Sequence, residues 1–147
     1  MCLATLRTMN LLLCEDDEIT ASFLAEVLEK YFANVYVTHN GRDAFDIIQN
    51  YSIDLLMTDI LMPYLSGIAL IEALRKKENT KQSKKLPIIV ISAEQDPKEL
   101  LKIIRYQLVD YILKPITLSR LEESLRFFCN EVSKISLKTK VLNNNHL

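Results

Sequence analysis

The sequence predicts an α/β fold in which a five-stranded parallel sheet is covered by helices on both faces, in doubly wound order. Two observations lead to this fold class. Short apolar runs alternate five times with stretches whose apolar residues recur at helical spacing. The chain of 147 residues also contains only 2 glycines and 4 prolines, which disfavours turn-rich all-β folds. The length corresponds to about one domain, because domains usually have roughly 100–200 residues.

Three strands and two helices are predicted in the first half of the chain. The first apolar run ends abruptly in Glu15, Asp16 and Asp17, as a buried strand does where it meets its loop. In the following stretch, apolar residues return every three or four positions, and Asn40-Gly41 marks a later turn. The predicted elements are strand 10–14, helix 19–31, strand 34–38, helix 44–48 and strand 54–58.

The second half predicts two more strands and three helices. Residues 86–91 are the most uniformly apolar and β-branched stretch, which is typical of a parallel strand buried on both faces. Asp96-Pro97 provides an N-cap and a first-turn proline. The polar, lysine-rich segment 75–85 is predicted to be a solvated connection. The elements are helix 68–74, strand 86–91, helix 97–106, strand 109–113 and a long last helix from residue 118.

Composition and charge exclude several classes of function. Lys and Arg total 18 against 19 for Asp and Glu, a formal net charge of -1, so no overall positive field attracts nucleic acid or an anionic membrane. No apolar run approaches the roughly 18 residues of a membrane span. The three cysteines lack C-x-x-C spacing, which disfavours a disulfide framework or a zinc site and predicts a cytoplasmic location.

Polar residues follow four of the predicted strands. They are Glu15 and Asp16 after the first strand, Asp59 after the third, Ser92 after the fourth and Lys114 after the fifth. Because parallel strands end at the same edge of a sheet, these side chains are expected to converge. Crowded carboxylates repel unless a cation intervenes, and their hard oxygens suit Mg²⁺. The set predicts a site for a metal and a phosphoryl group.

Four motifs at these strand ends resemble the receiver domain of bacterial two-component response regulators. They are LLCEDD at 12–17, MTDILMP at 57–63, VISA at 90–93 and DYILKP at 110–115. The resemblance covers residues 9–128 and implies a (βα)5, flavodoxin-like or CheY-like fold. Residues 129–147 are then expected to form an extension of the last helix and a linker-like tail.

The resemblance also implies the roles of the acidic residues. Asp59 matches the phosphoacceptor, which takes a phosphoryl group from the phosphohistidine of a histidine kinase or phosphotransfer protein. Glu15 and Asp16 match the acidic pair that holds Mg²⁺ together with Asp59 and the main-chain carbonyl of Leu61.

Three further residues match positions that act on the phosphoryl group or respond to it. Ser92 and Lys114 match the hydroxyl and the lysine that contact the acyl phosphate. Tyr111 matches an aromatic residue that moves with Ser92 as a switch, although plain core packing is an alternative for it. Pro115 follows Lys114 as in the family, where this bond is usually cis.

The function implied is a phosphorylation switch, a signalling domain rather than an enzyme. Its surface formed by the fourth helix, fifth strand and fifth helix is expected to change on modification and to signal to a downstream target or an output domain. Residues 129–147 are too short to form such an output domain themselves. Apolar residues at 100–104 also suggest a homodimer through this surface. No direct contact with nucleic acid or a membrane is expected.

The sequence departs from the family pattern at three places. Leu61 stands two positions after Asp59, where many receivers carry a polar side chain, and this predicts a long-lived acyl phosphate. Glu94, two positions after Ser92, is a second candidate modulator of dephosphorylation. Before the fifth strand, Gln107 and Leu108 replace the usual glycine.

Two other classes of function remain as alternatives. A phosphohydrolase on a similar scaffold generally carries a second Asp two positions after its nucleophile, where this chain has Leu61. A receiver-like interaction module that works without phosphorylation has little use for several repelling carboxylates.

Asp17 is predicted to be a helix N-cap rather than a ligand. His39 is interpreted as lying at the end of the second strand, away from the acidic cluster, and is not expected to be a nucleophile or a metal ligand.

Overall fold

The computed structural model describes residues 2–76, 85–93 and 97–144, and within them strands and helices alternate as predicted. The elements in chain order are a 3-10 helix (Cys2–Thr8), β1 (Asn10–Cys14), α1 (Glu18–Leu28), β2 (Asn34–Thr38), α2 (Gly41–Asn50), β3 (Leu55–Asp59), α3 (Gly67–Arg75), β4 (Ile88–Ser92), α4 (Pro97–Ile104), β5 (Asp110–Leu113) and α5 (Leu118–Asn144). Asp96 and most of the lysine-rich connection, residues 77–84, lie outside the described residues.

The five strands form one parallel sheet in the order β2-β1-β3-β4-β5. The chain starts at β1, moves outward to β2, and then crosses to the other side of β1 to form β3, β4 and β5. This reversal lies between β1 and β3, and such a switch point opens a crevice beyond the carboxyl ends of the two strands. The prediction of a doubly wound α/β fold is confirmed.

The core lies in two layers, one on each face of the sheet. Because successive strand residues point to opposite faces, Leu13 and Met57 pack towards α1 and α5, whereas Leu12 and Leu56 pack towards α2, α3 and α4. Every residue of β3 and β4 is buried. Burial on both faces explains why these strands are continuous apolar runs rather than alternating ones.

Helices α1, α2 and α3 each begin at a side chain that caps their amino end. The caps are Asp17, Asn40 and Ser66, whose side chains accept hydrogen bonds from the main-chain N–H groups of Thr20, Asp43 and Ala69 at 2.8, 2.9 and 3.2 Å. The interpretation of Asp17 as an N-cap is confirmed. These caps satisfy N–H groups that have no partner within the helix.

Both ends of the chain differ from the sequence prediction. Residues 2–8 form a 3-10 helix that was not predicted, and Leu6 is fully buried in the core layer that contains Phe128. Helix α5 continues to Asn144, so residues 136–144 are helical rather than linker-like. The three consecutive asparagines at 143–145 are the reason for predicting a linker-like tail, whereas the leucine and lysine residues before them favour a helix. Domain bounds at 9 and 128 stay a prediction.

The loop before β5 contains a residue in the left-handed region. Gln107 has φ 57° at the place where the family pattern has glycine. A side chain in this region costs roughly 1–2 kcal/mol. The chain therefore keeps the conformation that glycine usually provides, at some cost in stability.

Across residues 2–76, 85–93 and 97–144, no helix combines the length and the apolar character needed to span a membrane.

Gly67 allows α3 to begin directly against the end of β3. Its N–H donates to the carbonyl of Ile60 at 2.8 Å, and a Cβ at this position would overlap the main-chain carbonyl oxygen of Asp59. The glycine is thus required by close backbone approach beside the acidic cluster.

We expect Gly67→Ala to lower the free energy of unfolding by about 1–3 kcal/mol, the cost of forcing atoms into a packed site. Replacing glycine by alanine in a helix otherwise stabilises by roughly 0.5–1 kcal/mol, so the sign of the change is diagnostic. Urea unfolding followed by circular dichroism measures it. Equal or greater stability of the variant would contradict the close approach.

Candidate functional site

Three carboxylates meet at the carboxyl edge of the sheet. One oxygen from each of Glu15, Asp16 and Asp59 lies within 4.8 Å of the other two. Glu15 and Asp59 are buried, while Asp16 is exposed. The residues meet because β1 and β3 are adjacent, parallel and in register up to the pair of Cys14 with Thr58. The predicted convergence of the acidic residues is thus present.

Lys114 joins the two buried carboxylates. Its Nζ donates to Asp59 Oδ2 at 2.5 Å and lies 2.8 Å from Glu15 Oε2. The second contact is an ion pair whose angles are not those of a hydrogen bond, so Glu15 Oε2 has no hydrogen-bond donor. The main-chain N–H of Lys114 donates to the carbonyl of Ser92 at 3.0 Å, which fixes the start of its long side chain beside β4.

Burial and charge act in opposite directions on these groups. Burial raises the pKa of Glu15, an effect that the contact with Lys114 only partly offsets. For Lys114, burial alone would lower the pKa, but the carboxylates of Asp59 and Glu15 outweigh it and raise the pKa above its ordinary value. Lys114 is therefore held in its charged form by the pair of carboxylates that it neutralises.

The other oxygen of Asp59 is also fixed. Oδ1 accepts hydrogen bonds from the main-chain N–H groups of Ile60 at 2.6 Å and Leu61 at 3.3 Å. With Lys114 on Oδ2, both oxygens of the Asp59 carboxylate have donors. The group is thus oriented before any partner arrives, which is the property expected of a positioned nucleophile.

The donor set fits a divalent cation. One ammonium group faces three carboxylates, which leaves a formal charge of -2 when all are ionised. The Lys114 ammonium, 2.8 Å from the buried Glu15 Oε2, compensates that oxygen but is shared with Asp59, so the excess negative charge remains. Hard carboxylate oxygens, one of them solvent-exposed, suit Mg²⁺, which usually keeps several of its waters.

The remaining predicted residues occupy the same edge of the sheet or its surroundings. Ser92 is buried at the end of β4, one residue beyond Ile91, the register partner of Asp59. Tyr111 is half-buried against the core layer of α2, α3 and α4. The side chain of Leu61 is 62% exposed. Glu94 lies outside the described residues, and the Lys114-Pro115 bond is cis.

His39 touches the acidic loop, so its interpretation as a residue away from the cluster is wrong. Its Nδ1 lies 2.9 Å from the main-chain carbonyl oxygen of Glu15. The strand order explains the error, because β2 is the neighbour of β1 and ends at the same edge. Sequence proximity does not reveal this contact, whereas the predicted parallel order of β1 and β2 could have indicated it.

An apolar groove lies beside Lys114. It has a volume of about 570 Å³ and is lined by Ile19, Thr20, Phe23, Leu24, Lys114, Pro115 and Ile116. Ile19 is 82% exposed and Phe23 is 56% exposed, so two large apolar side chains on one face of α1 are open to solvent. The groove therefore offers an apolar contact surface next to the charged site.

Comparison with known sequences gives one family. The family model for the response regulator receiver domain matches residues 11–126. The chain is 35% identical over 106 residues to the transcriptional regulatory protein CpxR of Escherichia coli, covering 72% of this chain and 43% of that protein. It is 33% identical over 106 residues to the probable transcriptional regulator ycf29 of Porphyra purpurea, covering 72% and 49%. The chain thus spans less than half of either relative.

Solved structures give the same result. The N-terminal domain of an uncharacterized protein from Wolinella succinogenes superposes with a TM-score of 0.75 at 26% identity, covering 86% of this chain and 99% of that one. A receiver domain of a sensor histidine kinase from Pseudomonas aeruginosa, which has magnesium coordinated in its active site cleft, gives 0.71 at 21% identity, with coverage of 84% and 98%. The latter shares the fold. From the family match, the chain belongs to the response regulator receiver domain family.

Proposed function

We propose that the chain is a phosphorylation switch in which Asp59 accepts a phosphoryl group from the phosphohistidine of a histidine kinase or phosphotransfer protein. The observation that carries this proposal is the Asp59 carboxylate, buried yet held by Lys114 and by two main-chain N–H groups. A fixed carboxylate at the carboxyl edge of a parallel sheet suits nucleophilic attack on phosphorus. The phosphorus–nitrogen bond of the donor breaks as the oxygen–phosphorus bond forms.

The surrounding residues supply the charge and hydrogen bonding that such a transfer needs. Lys114, already in contact with Asp59, is proposed to neutralise a phosphoryl oxygen once Asp59 is modified, and the hydroxyl of Ser92 is the proposed hydrogen-bond donor. The proposed ligands of Mg²⁺ are Glu15, Asp16, Asp59 and the main-chain carbonyl of Leu61. When bound there, Mg²⁺ would orient the phosphoryl oxygens and offset their charge. The magnesium coordinated in the Pseudomonas aeruginosa receiver supports this choice of ion.

The proposed signal travels to the surface formed by α4, β5 and α5. Modification would draw Ser92 towards the phosphoryl group and allow Tyr111 to move inward, which biases a two-state element. Leu101, Ile104 and Leu113 are exposed on this surface. An ion pair of Arg120 with Asp110, at 2.8 and 2.9 Å, links β5 to α5 there. Such a face suits a downstream target or a second copy of the chain.

The partners follow from this chemistry. The donor must bring its phosphohistidine to Asp59, and the adjacent groove with Ile19 and Phe23 is the proposed place for its apolar contacts. The signal receiver is a downstream target or an output domain, rather than nucleic acid or a membrane. Cys14 and Cys129 are buried as thiols rather than paired in a disulfide, which supports a reducing location such as the cytoplasm. A signalling role rather than turnover is favoured because Leu61, where a phosphohydrolase generally has its second Asp, is apolar.

Incubation with acetyl phosphate and Mg²⁺ is expected to add one phosphoryl group to the protein, as measured by intact mass. The adduct should be absent in Asp59→Asn and after chelation by EDTA, because the nucleophile or the cation is then missing. Asp46→Asn, which changes an exposed aspartate on α2, is the matched control and should keep the adduct. Absence of both the adduct and binding of beryllofluoride, a phosphoryl mimic, would instead favour the phosphorylation-independent interaction module.

The apolar side chain of Leu61 is expected to prolong the acyl phosphate, because it cannot orient an attacking water. Leu61→Asn should shorten the half-life severalfold, below the roughly hundredfold effect of a fully positioned general base. Loss of the adduct after removal of acetyl phosphate is followed by intact mass. Tyr64→Asn is the control, since Tyr64 is an exposed side chain of the same loop. An unchanged half-life for Leu61→Asn would refute this role.

A further inference from the structure

The turn between β2 and α2, residues 39–40, and the residues on either side of it contact the loops that follow β1 and β3. The N–H of Glu15 donates to the carbonyl of Thr38 at 3.0 Å, and the N–H of Gly41 donates to the carbonyl of Leu65 at 3.1 Å. The thiol of Cys14 lies 3.3 Å from the carbonyl oxygen of Asn40. The turn therefore connects the loop after β1 with the loop after β3.

His39 contributes a side chain to these contacts. Its Nδ1 lies 2.9 Å from the carbonyl oxygen of Glu15, and because a carbonyl oxygen only accepts, Nδ1 is the donor. The position of this carbonyl sets the peptide plane between Glu15 and Asp16. That plane in turn determines where the exposed Asp16 carboxylate lies relative to the buried pair.

We propose that His39 is a positioning residue for the cation site: through the Glu15 carbonyl it holds Glu15 and Asp16 in the arrangement that binds a divalent cation. This inference rests on the proposed function, which places Mg²⁺ at these carboxylates. Mg²⁺ demands near-octahedral geometry, so small errors in ligand position weaken its binding. Residues behind the ligands commonly provide that precision.

Titration with magnesium chloride, followed by calorimetry at one fixed pH, tests the proposal on the wild-type chain and four variants. We expect His39→Ala and His39→Gln to raise the dissociation constant about three- to tenfold, as loss of one net hydrogen bond does. His39→Asn should bind nearly as the wild type, because the amide nitrogen of Asn takes the place of Nδ1. Asn34→Ala is the matched control, since it removes a hydrogen bond to Asn10 at the other end of β2.

Thermal unfolding of the same variants separates positioning from stability. A change in melting temperature for His39→Ala without a change in magnesium affinity would overturn the proposal, as would an equal loss of affinity in His39→Asn and His39→Ala. If the wild-type chain binds magnesium and His39→Ala binds it equally well, the inference alone fails. If the wild-type chain binds none, the cation part of the proposed function fails, and the inference fails with it.

Discussion

The contact of Lys114 with Glu15 and Asp59 is the interaction on which the site depends. Two buried carboxylates this close together would repel each other and would lose their solvation by water. Burying one unpaired charge costs on the order of several kcal/mol. The Lys114 ammonium offsets part of this cost and keeps the Asp59 carboxylate oriented, while its single charge leaves the site with excess negative charge. The same contact therefore stabilises the buried acidic pair and leaves excess negative charge, which favours a divalent cation at this edge of the sheet.

The sheet order provides the geometry for this contact. Because β1 and β3 are neighbours, Glu15 and Asp59 end at one crevice, whereas Lys114 follows β5, two strands away from β3. A long, flexible lysine side chain can cover that distance, and the hydrogen bond from its N–H to Ser92 aligns its base. Tight packing of Gly67 against the end of β3 then keeps the loop after Asp59 close to the site.

Much of this arrangement could be predicted from the sequence because it depends on strand-scale patterns. Apolar runs followed by Glu15, Asp59 or Lys114 indicate both the strands and the edge at which they meet. Other features depend on contacts between distant segments. The burial of Leu6 and the contact of His39 with Glu15 carry no periodic signal. The helical continuation of α5 to Asn144 instead follows from local residue preference, because residues 133–144 are exposed. Gln107, with φ 57°, also adopts a left-handed conformation that its residue type does not predict.

A double-mutant cycle on Lys114 and Asp59 tests the central claim most directly. The free energy of unfolding is measured in EDTA for the wild type, Lys114→Met, Asp59→Asn and the double variant. We predict that Lys114→Met destabilises the wild type by about 1–3 kcal/mol and costs less in the Asp59→Asn background, with a coupling of about 1–2 kcal/mol. Additivity within about 0.5 kcal/mol would contradict the claim that Lys114 compensates the buried Asp59 carboxylate.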